Sequence, residues 1–321
     1  IYIPLYFKKD MQAQIEEKFK ECCLILKKGN FLQANEILKE VLVEALDDER
    51  IKFAVNCFSF WLNIVQQVEN TENPYNRGQI LFNEWEEFSV YIKKQRYKPD
   101  DLIIYSFKCG IFSIALNNFL ELLNVQDFEQ KAAITRKIGL CYKKLGEYEN
   151  ARNFLSESNR LHPGNSTVLA ELADCFALCG EDRNAKLLFR EAFFINAKKI
   201  DLRLLDSELI QCLVRKIEEH GFTGDELLEW IPVYGNIFGV FTIKRQLKTQ
   251  EISKLQQEIY ATENELKDPS CNSKLLTPRL CNLYFWLIDH YSLNHEDAPR
   301  INEILMRIKI LDPFIYQLYN K

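Results

Sequence analysis

KAAITRKIGLCYKKLGEYENARNFLSESNRLHPGNSTVLAELADCFALCGEDRNAKLLFREAFFINAKK, residues 131–199, carries the same helical pattern twice. Thr135, Ile138, Gly139, Tyr142, Gly146, Ala151, Leu155 and Pro163 return 34 positions later as Leu169, Leu172, Ala173, Phe176, Gly180, Ala185, Phe189 and Ala197. Apolar residues three and four apart predict helices that each bury one stripe. Gly146 and Gly180 follow the last periodic residue of a leading helix, where a left-handed residue closes the helix and glycine has no Cβ penalty. Gly139 with Ala151, and Ala173 with Ala185, put small residues where two helices of a pair can cross closely. A bulky side chain at 139 is expected to separate the pair. Lys143 reads as exposed, so its replacement should leave folding nearly unchanged.

The pattern resembles the tetratricopeptide repeat, a helix-turn-helix of about 34 residues marked by a bulky residue, Leu-Gly, Tyr, a turn Gly, Ala, Phe and Pro. The chain departs from it at Thr135 and Leu169, which stand for the Trp, and at Leu155, Ala173 and Ala197. The turn signature occurs four times: Gly29, Phe31, Ala34, Leu38; Gly110, Phe112, Ala115, Phe119; Gly146, Tyr148, Ala151, Leu155; and Gly180, Ala185, Phe189. All four glycines read as turns, with a shortened helix at 101–108 before Gly110. The resemblance implies an all-α, right-handed superhelical solenoid of antiparallel helix pairs, and a non-catalytic scaffold whose groove holds a protein or peptide.

Outward from this stretch, residues 12–199 read as the repeat array and 200–321 as a degenerate array with a C-terminal cap, while 1–11 read as a tail or remnant. Gly29 and Gly110 are 81 apart, so an irregular unit at 47–99 absorbs the slip. It comprises helices at 48–68 and 79–94 and a loop at 71–77 containing Pro74, with Asp100 as the next helix cap. Later segments read as a helix at 202–219 and one from 225 that Pro232 interrupts. The very apolar 231–243 falls short of the roughly 20 residues of a membrane span and reads as core. A charged helix at 244–267, a linker at 268–273, helices at 276–291 and 300–310, and a short aromatic cap at 314–319 complete the chain.

Composition supports a packed protein: 47% hydrophobic and 27% charged, with 22 Phe and 14 Tyr. A net charge of -5 speaks against general nucleic-acid affinity. The basic groups Lys93, Lys94, Arg96 and Lys244, Arg245, Lys248 read as solvated helix ends. Ten scattered cysteines read as small core residues in a reducing compartment, which points to the cytoplasm. A membrane anchor upstream of the chain stays open.

No phosphate loop, dinucleotide fingerprint or HExxH motif occurs, so no catalytic, cofactor or metal residues are assigned. Asp289, His290, His295 and Glu296 read as a polar surface turn rather than as a metal set. Cys175 and Cys179 read as packing, and Asn165 as the cap of a helix starting near Thr167. The resemblance places the groove at Arg136, Leu140, Lys143, Lys144, Ala170, Asp174 and Ala177. Co-chaperone members of the family grip a C-terminal carboxylate with Lys and Asn; Arg136, Leu140 and Glu171 stand at those positions here, so that clamp is absent. The basic set favours an acidic peptide. The alternatives are a peptide- or small-ligand-sensing solenoid and an accessory module of a larger enzyme.

Overall fold

A computed structural model describes the backbone of residues 5–294 and 298–320, and the side chains of these residues from Gln12 onward. Of the expected tail, residues 1–4 and the side chains of 5–11 lie outside the described residues. Among the described residues the chain is all-helical, with no β-strand. It divides into two compact units, Ile1–Leu161 and His162–Lys321.

The first unit contains α1 (Leu5–Lys27), α2 (Phe31–Glu44), α3 (Glu49–Glu69), α4 (Pro74–Lys93), α5 (Asp101–Leu120), α6 (Phe128–Leu145) and α7 (Tyr148–Leu161). Five of these starts follow Asn30, Asp48, Asn73, Asp100 and Asp127, whose side chains accept from backbone N–H groups two or three residues on. These are the donors a helix start leaves unpaired. The expected loop at 71–77 is shorter, because Pro74 begins α4: at the first helical position its missing N–H costs nothing.

Gly29 and Gly146 are the expected turns, at φ 81° and 85°. Gly110 is not a turn. It lies inside the uninterrupted α5, and a Cβ there would stand 2.3 Å from the carbonyl oxygen of Leu26 in α1. The glycine serves a close approach of two backbones, so the segment before it is no shortened helix. Gly139 behaves as expected: its Cβ would lie 2.8 Å from Leu155 Cγ and 3.2 Å from the Ala151 carbonyl. Between α3, α4 and α5 the core is aromatic. Trp61 is surrounded by Phe60, Phe88 and Phe107 at ring-centroid distances of 5.5, 5.4 and 6.4 Å. α5 has the length and hydropathy of a membrane span, and its packing against α1, α4 and α6 accounts for its apolar character.

The second unit contains α8 (Ser166–Leu178), α9 (Asp182–Asn196), α10 (Glu208–Glu218), α11 (Gly224–Ile237), α12 (Thr249–Glu265), α13 (Ser273–Leu293), α14 (Ala298–Leu311) and α15 (Pro313–Tyr319), with 3-10 turns at Ala197–Lys199 and Leu202–Leu204. Asn165 caps α8 through the N–H groups of Thr167 and Val168, and Gly180 turns at φ 79°, both as expected.

Three expectations are corrected. The helix read at 202–219 is broken, because the Asp174 carboxylate accepts from the backbone N–H groups of Asp206 and Ser207, both at 2.8 Å, and holds that backbone outside a helix. α11 continues through Pro232, where packing on α13 offsets one missing backbone bond. The helix read from 244 begins only at Thr249; residues 242–248 form an extended strap. Of the apolar stretch 231–243, residues 231–235 and Phe241 are core as expected, whereas Phe238 is exposed. Ile231, Val233 and Tyr234 are buried in α11, and the chain then folds back so that Phe241 N–H donates to the Gly235 carbonyl at 2.8 Å. The C-terminal aromatic residues also pack as expected, with the Tyr319 ring stacked 4.5 Å from that of Phe285.

Candidate functional site

The residues picked from the sequence fall on α6 and α8. On α6, Arg136 and Lys144 are half-buried, and Leu140 is buried. Lys143 is corrected from exposed to buried, at 2% exposure. It sits in the last turn of α6, where a cation suits the carbonyl end of the helix dipole. On α8, Ala170 is buried and Ala177 partly exposed. Asp174 is fully buried, and its carboxylate is engaged by residues 206–207 of its own unit. Sequence spacing gives a helical face but does not reveal which side chains the neighbouring backbone will take up.

The second unit holds an ionic cluster that the sequence reading missed. Lys244 and Arg245 are not solvated helix ends; both lie on the strap. Lys244 pairs with Asp289 of α13, and Arg245 pairs with Glu191 of α9 and, at 2.8 Å, with Glu251 of α12. Arg190 of α9, 2% exposed, also pairs with Asp289 and donates to the Ile243 carbonyl at 3.1 Å. Beneath them lies Trp286, with the guanidinium carbons of Arg190 and Arg245 at 4.4 and 5.6 Å from its ring. Hydrogen bonding and proximity to Arg245 hold the Glu251 carboxyl at about 2. The same carboxylates raise the Arg245 guanidinium above its ordinary value. The cluster binds three helices, α9, α12 and α13, to the strap. Its sequence signal was Arg-Glu at 190–191 facing Lys-Arg at 244–245, but contact between segments so far apart is not legible from spacing.

Asp289 is thereby spent on two cations. His290 is buried beside Asn294, whose amide nitrogen lies 3.1 Å from the ring, while His295 and Glu296 lie outside the described residues. Among the described residues no three His, Cys, Asp or Glu side chains are grouped to hold a metal. Burial raises the thiols of Cys22 and Cys57 to about 12, and those of Cys141 and Cys281 further. They are packing residues, as expected. Cys212 differs in being exposed.

Two recesses were also missed. One, of about 360 Å3, is in the first unit, lined by Tyr75, Leu122, Val125 and Ile134 among others. The other, of about 300 Å3, lies among α12, α13 and α14 in the second unit.

No protein-family model matches the chain, and no curated protein matches it.

Proposed function

We propose that the chain is a non-catalytic scaffold or adaptor: a superhelical, tetratricopeptide-like array that presents a groove to a protein or peptide within a larger cytoplasmic assembly. The observation that carries this reading is the repetition of one structural plan. α6–α7 and α8–α9 each close their turn on a left-handed glycine, Gly146 and Gly180, at φ 85° and 79°. Each pair buries small residues at the crossing positions, Gly139 with Ala151 and Ala173 with Ala185. Helix pairs of this kind expose an extended surface when stacked, and such surfaces serve binding.

Arg136 and Lys144 retain exposure on α6 and favour an acidic partner. The test is crosslinked affinity capture from the native cell, comparing the wild-type chain with an Arg136→Glu/Lys144→Glu variant whose helicity is checked by circular dichroism. Lys143 is left unchanged because reversing a buried charge would perturb folding. A discrete partner that the variant loses supports the reading. A partner held equally by the folded variant removes the α6 face from it, and capture of no partner removes the scaffold reading.

A further inference from the structure

The recess among α12, α13 and α14 has a chemistry unlike the rest of the surface. Ile259, Leu287 and Ile304 give it an apolar lining, and Tyr260, Tyr284 and Tyr291 contribute three aromatic rings. Two carboxylates, Glu263 and Glu303, also line it. Glu263 is held in place from two sides: its Oε1 accepts from the Tyr284 hydroxyl at 2.6 Å and from Arg307 Nη1 at 2.9 Å. Glu303 Oε1 accepts from Arg307 Nη2 at 2.7 Å. Burial and the Glu263 carboxylate raise the Tyr284 hydroxyl above its ordinary value, so it stays a donor.

Bond accounting gives the recess its polarity. Arg307 serves both carboxylates and Arg300 stands at the Tyr291 side, so the charged lining balances, and the recess attracts a cation through its free carboxylate oxygens and ring faces rather than through net charge. The second oxygen of each carboxylate accepts no hydrogen bond among the described residues. Aromatic faces add negative potential, and the Arg300 guanidinium already lies 5.7 Å from the Tyr291 ring centroid. Along α14, Glu303, Met306 and Ile310 are spaced i, i+3, i+7 and so share one stripe. Met306 is 52% and Ile310 84% exposed, an apolar continuation beside the acidic residue.

We propose that this recess binds a protonated amine or guanidinium carried on a short apolar stem, with Glu263 and Glu303 as its acceptors and the tyrosine rings as its walls. The site belongs to the second unit and shares no residue with α6, and it stands or falls independently of the scaffold reading. The cation can come from a free amine or from a basic side chain in a peptide; in the peptide case, Met306 and Ile310 take up its apolar neighbours.

The full chain, isotope-labelled at tyrosine, is titrated with agmatine, with a Leu-Arg-Leu peptide blocked at both ends, and with the same peptide carrying neutral citrulline for arginine. The expected result is saturable shifts of the Tyr260, Tyr284 and Tyr291 resonances with a Kd of about 1 mM for agmatine, weakened about ten-fold or more in Glu263→Gln/Glu303→Gln. Tyr260→Leu, at a residue 68% exposed, weakens binding while leaving the fold intact. Tighter binding of the Leu-Arg-Leu peptide than of agmatine identifies a peptide source, and the reverse order identifies a free amine. The proposal is overturned if agmatine and the peptide both fail to saturate, if citrulline binds as well as arginine, or if the double variant binds unchanged. Saturation by inorganic phosphate in place of agmatine overturns it too, by assigning the recess to Arg300 and Arg307.

Discussion

The two units bury different chemistry. In the first, Lys143 is the one buried charged side chain among the described residues, and the core is filled by rings packed around Trp61. In the second, Glu171, Asp174, Arg190, Glu229 and Asp289 are all buried, and Arg190, Glu229 and Asp289 are ion-paired. Rings attract at any pH and tolerate sliding, whereas a buried ion is held only while its partner stays in place. The first unit therefore depends on shape and the second on charge pairing.

The sharpest way to break this comparison is Asp289→Ala, which leaves Arg190 and Lys244 without their shared carboxylate. Removing one partner of a buried pair costs about 3–5 kcal/mol, and urea denaturation should show that loss with the first unit's tryptophan signal retained. An equally stable variant would show that strap and helices are held by apolar packing alone.

Next comes Gly110→Ala. The new methyl group would meet the Leu26 carbonyl at 2.3 Å, a backbone atom that cannot rotate away, so a loss of about 1–3 kcal/mol is expected. Gly139→Ala is its control. Its nearest neighbour is the Leu155 side chain at 2.8 Å, which can shift, so its loss in the same denaturation series should be the smaller of the two.

A smaller effect tests the strap through pH. The Glu251 carboxyl is lowered from 4.5 to about 2. A carboxylate depressed in the folded state contributes stability above its unfolded value, and that contribution is lost as pH falls from about 4.5 towards 2. Glu251 is 36% exposed and its pair is screened, so the contribution is about 0.5–1 kcal/mol. Glu251→Gln should remove this increment at neutral pH and abolish its acid dependence, as measured by unfolding midpoints across that range.

The smallest perturbation leaves stability untouched. Native protein treated with iodoacetamide should be modified at exposed Cys212, while the buried Cys22, Cys57 and Cys141 react only after denaturation, as peptide mass mapping would report. Early labelling of the buried thiols would show that the first unit opens more readily than its packing implies.

Much of the first unit was legible because its rules are local. A capping Asp or Asn, a glycine after a periodic run and a three-four apolar spacing each act within one helical turn, so Asp100, Gly146 and the apolar helix at 48–68 could be placed without a fold. Gly110 defeated that logic because its reason lies 84 residues away, at Leu26. The candidate groove was legible as spacing but not as exposure. Nothing near Asp174 in sequence announces that residues 206–207 will occupy its carboxylate. The ionic cluster and the tyrosine recess were illegible for the same cause: their members come from three or more helices, and no periodicity links them.

Asp289 has one more consequence. An array built from similar helix pairs can in principle lengthen or shorten by whole pairs at its end, since each pair answers only to its neighbours. Here α13 supplies the counter-ion for Arg190, 99 positions earlier in the chain. Deleting the last three helices would strand a guanidinium in the interior of what remained. Any descendant of this chain therefore keeps α13, unless position 190 becomes neutral first.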